Sequence, residues 1–261
     1  MKTGIQYNIN ITKNEIKAAD LDILGAEYGE LFFAGGAKVV RINYTMLEQA
    51  VLDGALDDLS ISGTEILVAE TIGFKTKEEI EKLTSLLVKC LPGFKSAGLS
   101  VCIENGYVTD GTKIYEGPLG SGVSLSAYID RLNEKAGEEF FKAAFNIGCA
   151  RALRLQIIEH VKALGNKISV LYVSDNDGKA DLRQMPYTFT SVHSINSAGW
   201  EDLMDHFSTY AQEIFIIGDV RGTFAVSPKE LKGTFLSLIG EILGEWKSSN
   251  DYEQIELPVN A

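Results

Sequence analysis

Short apolar runs alternate with helix-like patterns along almost the whole chain, and that alternation narrows the fold more than any other feature. The runs are Gly4–Ile9, Glu30–Ala34, Glu65–Ala69, Leu99–Glu104, Phe141–Asn146, Ile168–Val173 and Ile214–Asp219. Each is short, continuous and rich in β-branched or aromatic residues, which suits strands buried on both faces of a parallel sheet. Between them, apolar residues return at helical spacing. Lys77–Cys90 aligns Ile80, Leu83, Leu86, Leu87 and Cys90. Ala150–Leu164 aligns Leu153, Ile157, Val161 and Leu164. Pro228–Trp246 aligns Leu231, Phe235, Leu238, Ile239, Ile242, Leu243 and Trp246. The pairs Thr12/Glu15, Thr45/Glu48, Thr76/Glu79 and Ser227/Glu230 predict capping boxes at helix starts. Pro228 suits the first helical position, where a missing N–H costs nothing.

This alternation predicts a parallel sheet covered by helices. Two closures compete, a (β/α)8 TIM barrel and a doubly wound open sheet. The 261 residues suit the barrel. The Gly-x-Gly-x-x-Gly turn of the open sheet is absent, because the first run leads into Asn10-Ile11-Thr12-Lys13. The expected architecture is therefore an α/β TIM barrel forming one domain over 1–246. It is irregular or shortened in the 35–63 region, where Val39–Asn43 and Leu59–Ser62 compete to supply a further strand. A polar C-terminal tail over 247–261 is expected to fray.

Composition removes several classes of function. Thirty-six acidic against 24 basic residues leave a net charge of −12, which argues against nucleic-acid binding. Three cysteines do not build a disulfide scaffold. No apolar run approaches the ~18 residues of a membrane span. The first twelve residues carry one lysine and no continuous apolar core, unlike a secretory signal. The expected setting is cytoplasmic. The expected partner is a small molecule, with no nucleic acid or membrane; homo-oligomerisation stays open.

In a parallel barrel the chemistry sits at the carboxyl ends of the strands. Those ends carry Glu70, Glu104 with Asn105, Asn146, Asp175 with Asn176 and Asp177, and Asp219 with Arg221. Five strand ends would thus bring carboxylates or amides to one mouth. Isolated polar strand ends are common where a chain emerges into water, so the convergence is what carries the expectation. Arg221 can clamp an anionic group or pair with Asp219's neighbourhood. His193 lies in the long uncharged stretch Met185–Trp200, either over the mouth or simply on a surface loop. His160 and His206 fall inside helical patterns and read as structural. Cys149 has no histidine assigned beside it and reads as a buried inert thiol.

The segments Ser100–Asn105 (SVCIEN), Ala144–Ala150 (AFNIGCA), Ile168–Leu182 (ISVLYVSDNDGKADL), Gly199-Trp200 and Ile216–Phe224 (IIGDVRGTF) follow one another in a familiar order. In that order and spacing the chain resembles the xylose isomerase-like TIM barrels, a superfamily of sugar isomerases and epimerases. The resemblance spans roughly Leu99 to Trp246. It implies a divalent cation, Mn²⁺ or Mg²⁺, assisting proton transfer on a carbohydrate or polyol. Of the family's metal ligands, Glu104 matches and Asp219 is the candidate last one. Asn146 and Tyr172 replace the other two, and Cys149 replaces a nearby histidine. Glu104, Asp175 and Asp219 are the candidate metal ligands, with the Asn146 amide as a weak fourth. The absence of any bound cation is an equally open expectation.

The first functional expectation is therefore a sugar isomerase or epimerase in which Glu104 and Asp219 carry proton transfer. Glu70, Asn105, Asn146, Asp175, Asn176, His193 and Arg221 would bind substrate. The second is a non-catalytic relative kept as a carbohydrate-binding or regulatory protein, which the Asn146 and Tyr172 replacements favour. An apurinic endonuclease-like barrel shares the fold, but its histidine-rich metal site and basic face are missing.

Overall fold

The computed structural model describes residues 1–7, 11–28, 36–188, 191–192, 194–210 and 212–252. Its centre is a closed ring of eight parallel strands. In chain order these are β1 (Lys2–Gln6), β2 (Ile23–Glu27), β3 (Val39–Ile42), β4 (Ile66–Ala69), β5 (Ser100–Glu104), β8 (Phe141–Asn146), β9 (Ile168–Val173) and β10 (Phe215–Gly218). β10 pairs with β1 over Lys2↔Phe215 to Ile5↔Gly218, and this pairing closes the barrel. A small antiparallel hairpin, β6 (Tyr107–Thr109) with β7 (Ile114–Glu116), is inserted after β5.

The first half of the ring corrects the sequence expectation. The run Glu30–Ala34 lies outside the described residues, and the second strand is Ile23–Glu27. Val39–Ile42 is the third strand, while Leu56–Ile61 is helical, so Leu59–Ser62 supplies no strand. The first strand starts earlier than expected, at Lys2, and ends at Gln6.

Helices cover the ring: α1 (Lys13–Ala18), α2 (Tyr44–Leu52), α3 (Leu56–Ile61), α4 (Lys77–Ser96), α5 (Gly122–Ala136), α6 (Ile147–Ala152), α7 (Ile157–Leu164), α8 (Ser197–Ser208), α9 (Arg221–Val226) and α10 (Lys232–Tyr252). The Thr12/Glu15 and Thr76/Glu79 boxes form as expected. The other two do not. Asn43 caps α2, accepting from the Met46 N–H, and Ser227 turns back to the Thr223 carbonyl. The expected helix Ala150–Leu164 breaks into α6 and α7, with Arg154 between them at φ 61. The last helix follows a 3-10 turn at Lys229–Leu231 and runs to Tyr252 rather than ending at Trp246. Residues 253–261 of the expected tail lie outside the described residues.

The larger core lies between the ring and its helices. Leu83 and Leu87 of α4 are fully buried there, and each such side chain contributes about 1.5–3 kcal/mol. Trp200 of α8 and Trp246 of α10 stack with ring centroids 5.6 Å apart. Trp246 Nε1 donates to the Tyr187 hydroxyl at 3.2 Å. A second, smaller core fills the barrel itself with Val39, Ile66, Val68, Cys102, Ala144, Val170, Tyr172, Phe215 and Ile217 among others. No helix among the described residues is long and apolar enough to cross a membrane.

Candidate active site

Side chains alternate faces along a strand, so two residues beyond each inward position comes the next inward position. Applied to all eight strands, this rule builds the mouth. Gly4 leads to Gln6, Gly25 to Glu27, Val39 to Arg41 and Val68 to Glu70. Cys102 leads to Glu104, Ala144 to Asn146, Val170 to Tyr172 and Ile217 to Asp219. The registers carry the alternation around the ring, for example Glu27↔Arg41, Arg41↔Val68, Asn146↔Tyr172 and Tyr172↔Ile217. Every strand thus passes from an apolar plug to a polar rim.

Arg41 is the hub of that rim, with its side chain fully buried. Its Nε donates to Glu104 Oε2 at 2.7 Å, and its Nη2 donates to Glu104 Oε1 in a bidentate pair. Nη1 reaches Asp219 Oδ2 at 3.3 Å and Glu27 Oε1 at 3.4 Å. The Tyr172 ring lies against the guanidinium, 4.3 Å from centroid to Cζ. Burial alone would lower the Arg41 pKa, but Glu104 and Glu27 outweigh it and hold the group protonated. Burial raises the Glu104 pKa and Arg41 opposes that shift.

Two further arginines complete the network. Arg183 Nη1 donates to Asp219 Oδ2 at 2.8 Å, and its Nε donates to Asp181 Oδ2 at 3.0 Å. Arg221 Nε donates to Asp219 Oδ1 at 2.7 Å, and its Nη1 donates to Glu27 Oε1 at 2.8 Å. Arg183 keeps a left-handed backbone, φ 50, which is uncommon for a residue with a side chain. Its carbonyl accepts from the Gly222 N–H at 3.2 Å. A Cβ on Gly222 would lie 1.6 Å from the Leu182 carbonyl oxygen, so only glycine lets α9 pack under this loop. On the strands that follow β10 around the ring, a Cβ on Gly25 would meet Gln6 Oε1 at 2.2 Å, so Gly25 makes room for the buried amide.

The sequence candidates divide into two groups. Glu104, Asp219, Asn146, Arg221 and Tyr172 meet on the rim, with Asn146 Nδ2 donating to Glu104 Oε1 at 2.7 Å. The others are directed elsewhere. Asn105 braces two strand ends, its Nδ2 donating to the Asn146 carbonyl at 3.1 Å. Asn176 organises its own loop, donating to the Gly148 carbonyl and accepting from the Leu182 and Arg183 N–H groups. Asp175 accepts from the Ile195 and Asn176 N–H groups rather than joining Glu104 and Asp219, and burial pushes its pKa up to about 6. It is therefore not placed as a ligand beside them. His193 lies outside the described residues.

Glu70 stands apart chemically. It lies next to Glu104 on the rim, is partly exposed, and has no side-chain hydrogen bond or ion pair among the described residues. Burial, reinforced by the neighbouring Glu104 charge, pushes its pKa up to about 7. Gln6, Glu27, Arg41, Asp181 and Arg183 are site residues absent from the sequence candidates. A charged residue inside the apolar run Val39-Val40-Arg41-Ile42 was the signal for Arg41, since a buried charge demands partners.

No protein-family model and no curated protein sequence matches the chain. Solved structures do. An L-ribulose 3-epimerase superposes with a TM-score of 0.64 at 12% identity over 100% of both chains. A D-psicose 3-epimerase from Clostridium cellulolyticum, solved with D-tagatose, gives 0.64 at 12% identity over 94% of this chain and 99% of its own. These likenesses bear on the fold, which is a (β/α)8 TIM barrel. A third such barrel, the IolI protein with a zinc atom bound, gives 0.61 at 11% identity over 98% of this chain and 100% of its own.

The rim of this barrel does not fit a divalent cation. A cation needs free carboxylate oxygens, yet both oxygens of Glu104 accept from Arg41, and Asp219 accepts from three guanidinium groups. Asn146 turns its amide N–H toward Glu104 while its Oδ1 accepts from the Cys149 N–H. Burial holds the Tyr172 phenol far above the range in which it would ionise. Among the described residues no three His, Cys, Asp or Glu side chains are grouped to hold a metal.

Proposed function

We propose that the chain is a sugar isomerase that interconverts an aldose and a ketose with a single carboxyl base, Glu70, and without a divalent cation at the Glu104 site. The observation that carries this reading is Glu70 itself: a rim carboxyl with no hydrogen-bond or ion-pair partner among the described residues and with a pKa pushed up to about 7, beside Glu104, Asp181 and Asp219, which are all tied to arginine. A general base works best when its pKa lies near the working pH. Two-base epimerisation needs a second mobile carboxyl on the opposite face of the substrate. Glu104 and Asp219, the expected pair, are held in ion pairs.

Ionised Glu70 takes the proton from the carbon beside the carbonyl. The C–H electron pair becomes the enediolate double bond, and the carbonyl oxygen becomes an oxyanion. Arg183 is suited to stabilise that charge, because its Nη2 makes no hydrogen bond within the described network and its side chain is 15% exposed. The proton of the neighbouring hydroxyl passes to the oxyanion, which becomes the new hydroxyl; the oxygen that lost the proton becomes the new carbonyl, and Glu70 returns its proton to the former carbonyl carbon on the same face. The similarity to sugar epimerase structures supports the substrate class.

The test is a panel of unphosphorylated aldoses and ketoses assayed in the presence of EDTA, with turnover in D₂O followed by NMR. The expected outcome is chelator-insensitive isomerisation with solvent deuterium entering at one carbon, and a loss of ~100-fold or more in kcat for Glu70→Gln with sugar binding retained. Full activity of Glu70→Gln, or epimer formation as the main product, overturns it. Stabilisation by a sugar without turnover would overturn it in favour of a carbohydrate-binding role.

A further inference from the structure

Two stretches of chain that start beside Glu70 line a cavity of about 610 Å³, a volume in the range of small-molecule sites. One is Asn43–Met46, which leads from β3 into α2. The other is Ile72–Phe74, which leads from β4 towards α4. The Glu70 N–H donates to the Ile42 carbonyl at 2.9 Å, so the first stretch leaves the barrel next to Glu70. The second follows Glu70 itself, with the Ile72 Cα within about 7.6 Å of the Glu70 Cα by chain geometry. The loop between them is held in place. Thr71 Oγ1 donates to the Glu104 carbonyl at 2.7 Å, and the Gly73 N–H donates to the Tyr107 carbonyl at 2.8 Å.

The lining is chemically unlike the rim. Tyr44 and Phe74 are half-buried and meet edge to face, with ring centroids 6.2 Å apart. Met46 is 43% exposed, a large apolar side chain left in water. The lining holds one acid and one base, and both are engaged. Glu79 accepts from the Lys75 and Thr76 N–H groups, and Lys82 pairs with Glu78 at 3.1 Å. A charged group would find no free counter-charge here, whereas the flat face of a neutral ring can pack on the aromatic and thioether surfaces. We propose that this cavity is a second subsite of the mouth and takes an uncharged ring, glycosyl or aryl, linked to the sugar whose carbonyl end meets Glu70. The inference rests on the isomerase reading for where that sugar sits, and it narrows the substrate class to a reducing sugar substituted away from its carbonyl.

The test is calorimetric titration of the Glu70→Gln chain, which prevents turnover, with three sugars: a reducing disaccharide, the monosaccharide at its reducing end, and that monosaccharide carrying an aryl group on the same hydroxyl. The expected result is at least ~tenfold tighter binding of one or both substituted sugars than of the monosaccharide. Which of them gains tells a glycosyl from an aryl occupant. Adding Met46→Ser or Phe74→Ala should remove most of the gain and leave the affinity for the monosaccharide unchanged. Met46 is exposed, so Met46→Ser keeps the test open should Phe74→Ala fail to fold. Equal affinity for all three sugars, no binding of any, a gain that survives Met46→Ser, or wild-type self-association that Met46→Ser abolishes overturns the proposal. A gain that depends on Met46, with no turnover of the same sugar by the wild-type chain, supports the subsite and overturns the isomerase reading alone.

Discussion

Glu70 and Arg41 show how far one side chain's surroundings decide its chemistry. Both follow an inward apolar residue by two positions, on neighbouring strands. Arg41 is surrounded by acids and stays charged, whereas Glu70 faces another carboxylate and is half willing to lose its charge. A carboxyl whose folded pKa lies above its unfolded value binds its proton more tightly when folded. It therefore destabilises the fold as pH rises from the unfolded pKa, near 4, through about 7. Replacing Glu70 by glutamine removes that penalty. Glu70→Gln should be more stable than wild type at pH 8, by at most about 3 kcal/mol, and gain nothing at pH 4. Urea titrations at the two values check this; an equal effect at both would mean Glu70 is not the titrating group.

At the scale of elements, much of the barrel was legible in the chain and specific pieces were not. β8 and β9 fall on the residues expected from their continuous apolar runs. β2 escaped because Gly25 and Ala26 give its run little apolar mass, Gly25 being small to make room for Gln6. The break between α6 and α7 escaped because the apolar spacing of Leu153 and Ile157 continues across it. Glu104 and Asp219 were readable as strand-end acids. Arg41 and Glu27 belong to strands whose boundaries were in doubt, so their inward parity was not readable. Arg183 arrives on a loop, where no periodicity operates. Helix starts give a sharp check on local reasoning. Thr45 looked like a cap, but Asn43 does the capping of α2. Asn43→Ala should cost about 1 kcal/mol and Thr45→Ala close to nothing, as measured by chemical denaturation.

For the whole molecule, charge biases which small molecules can approach. The chain carries a net charge of −12, and at its mouth Glu27, Glu104, Asp181 and Asp219 face only Arg41, Arg183 and Arg221. Each guanidinium there is already paired with carboxylates, so none carries uncompensated charge for a phosphate dianion, and the surrounding field repels anions. Within the proposed reaction, kcat/KM for a free sugar should exceed that for its phosphate ester by roughly tenfold or more. Added salt should narrow the gap as it screens the long-range part. A preference for the phosphate ester would require a cationic contact beyond those described.

Both tryptophans of the chain lie in the single stack that docks α10 onto α8. The intrinsic fluorescence of the protein is therefore a local gauge of that one seam, blind to the rim on the barrel's inner face. A denaturation curve followed by emission reports when the last helix peels away, and one followed by circular dichroism reports when the ring collapses. Coincidence of the two curves would show that closing the barrel and seating its final helix are one cooperative event.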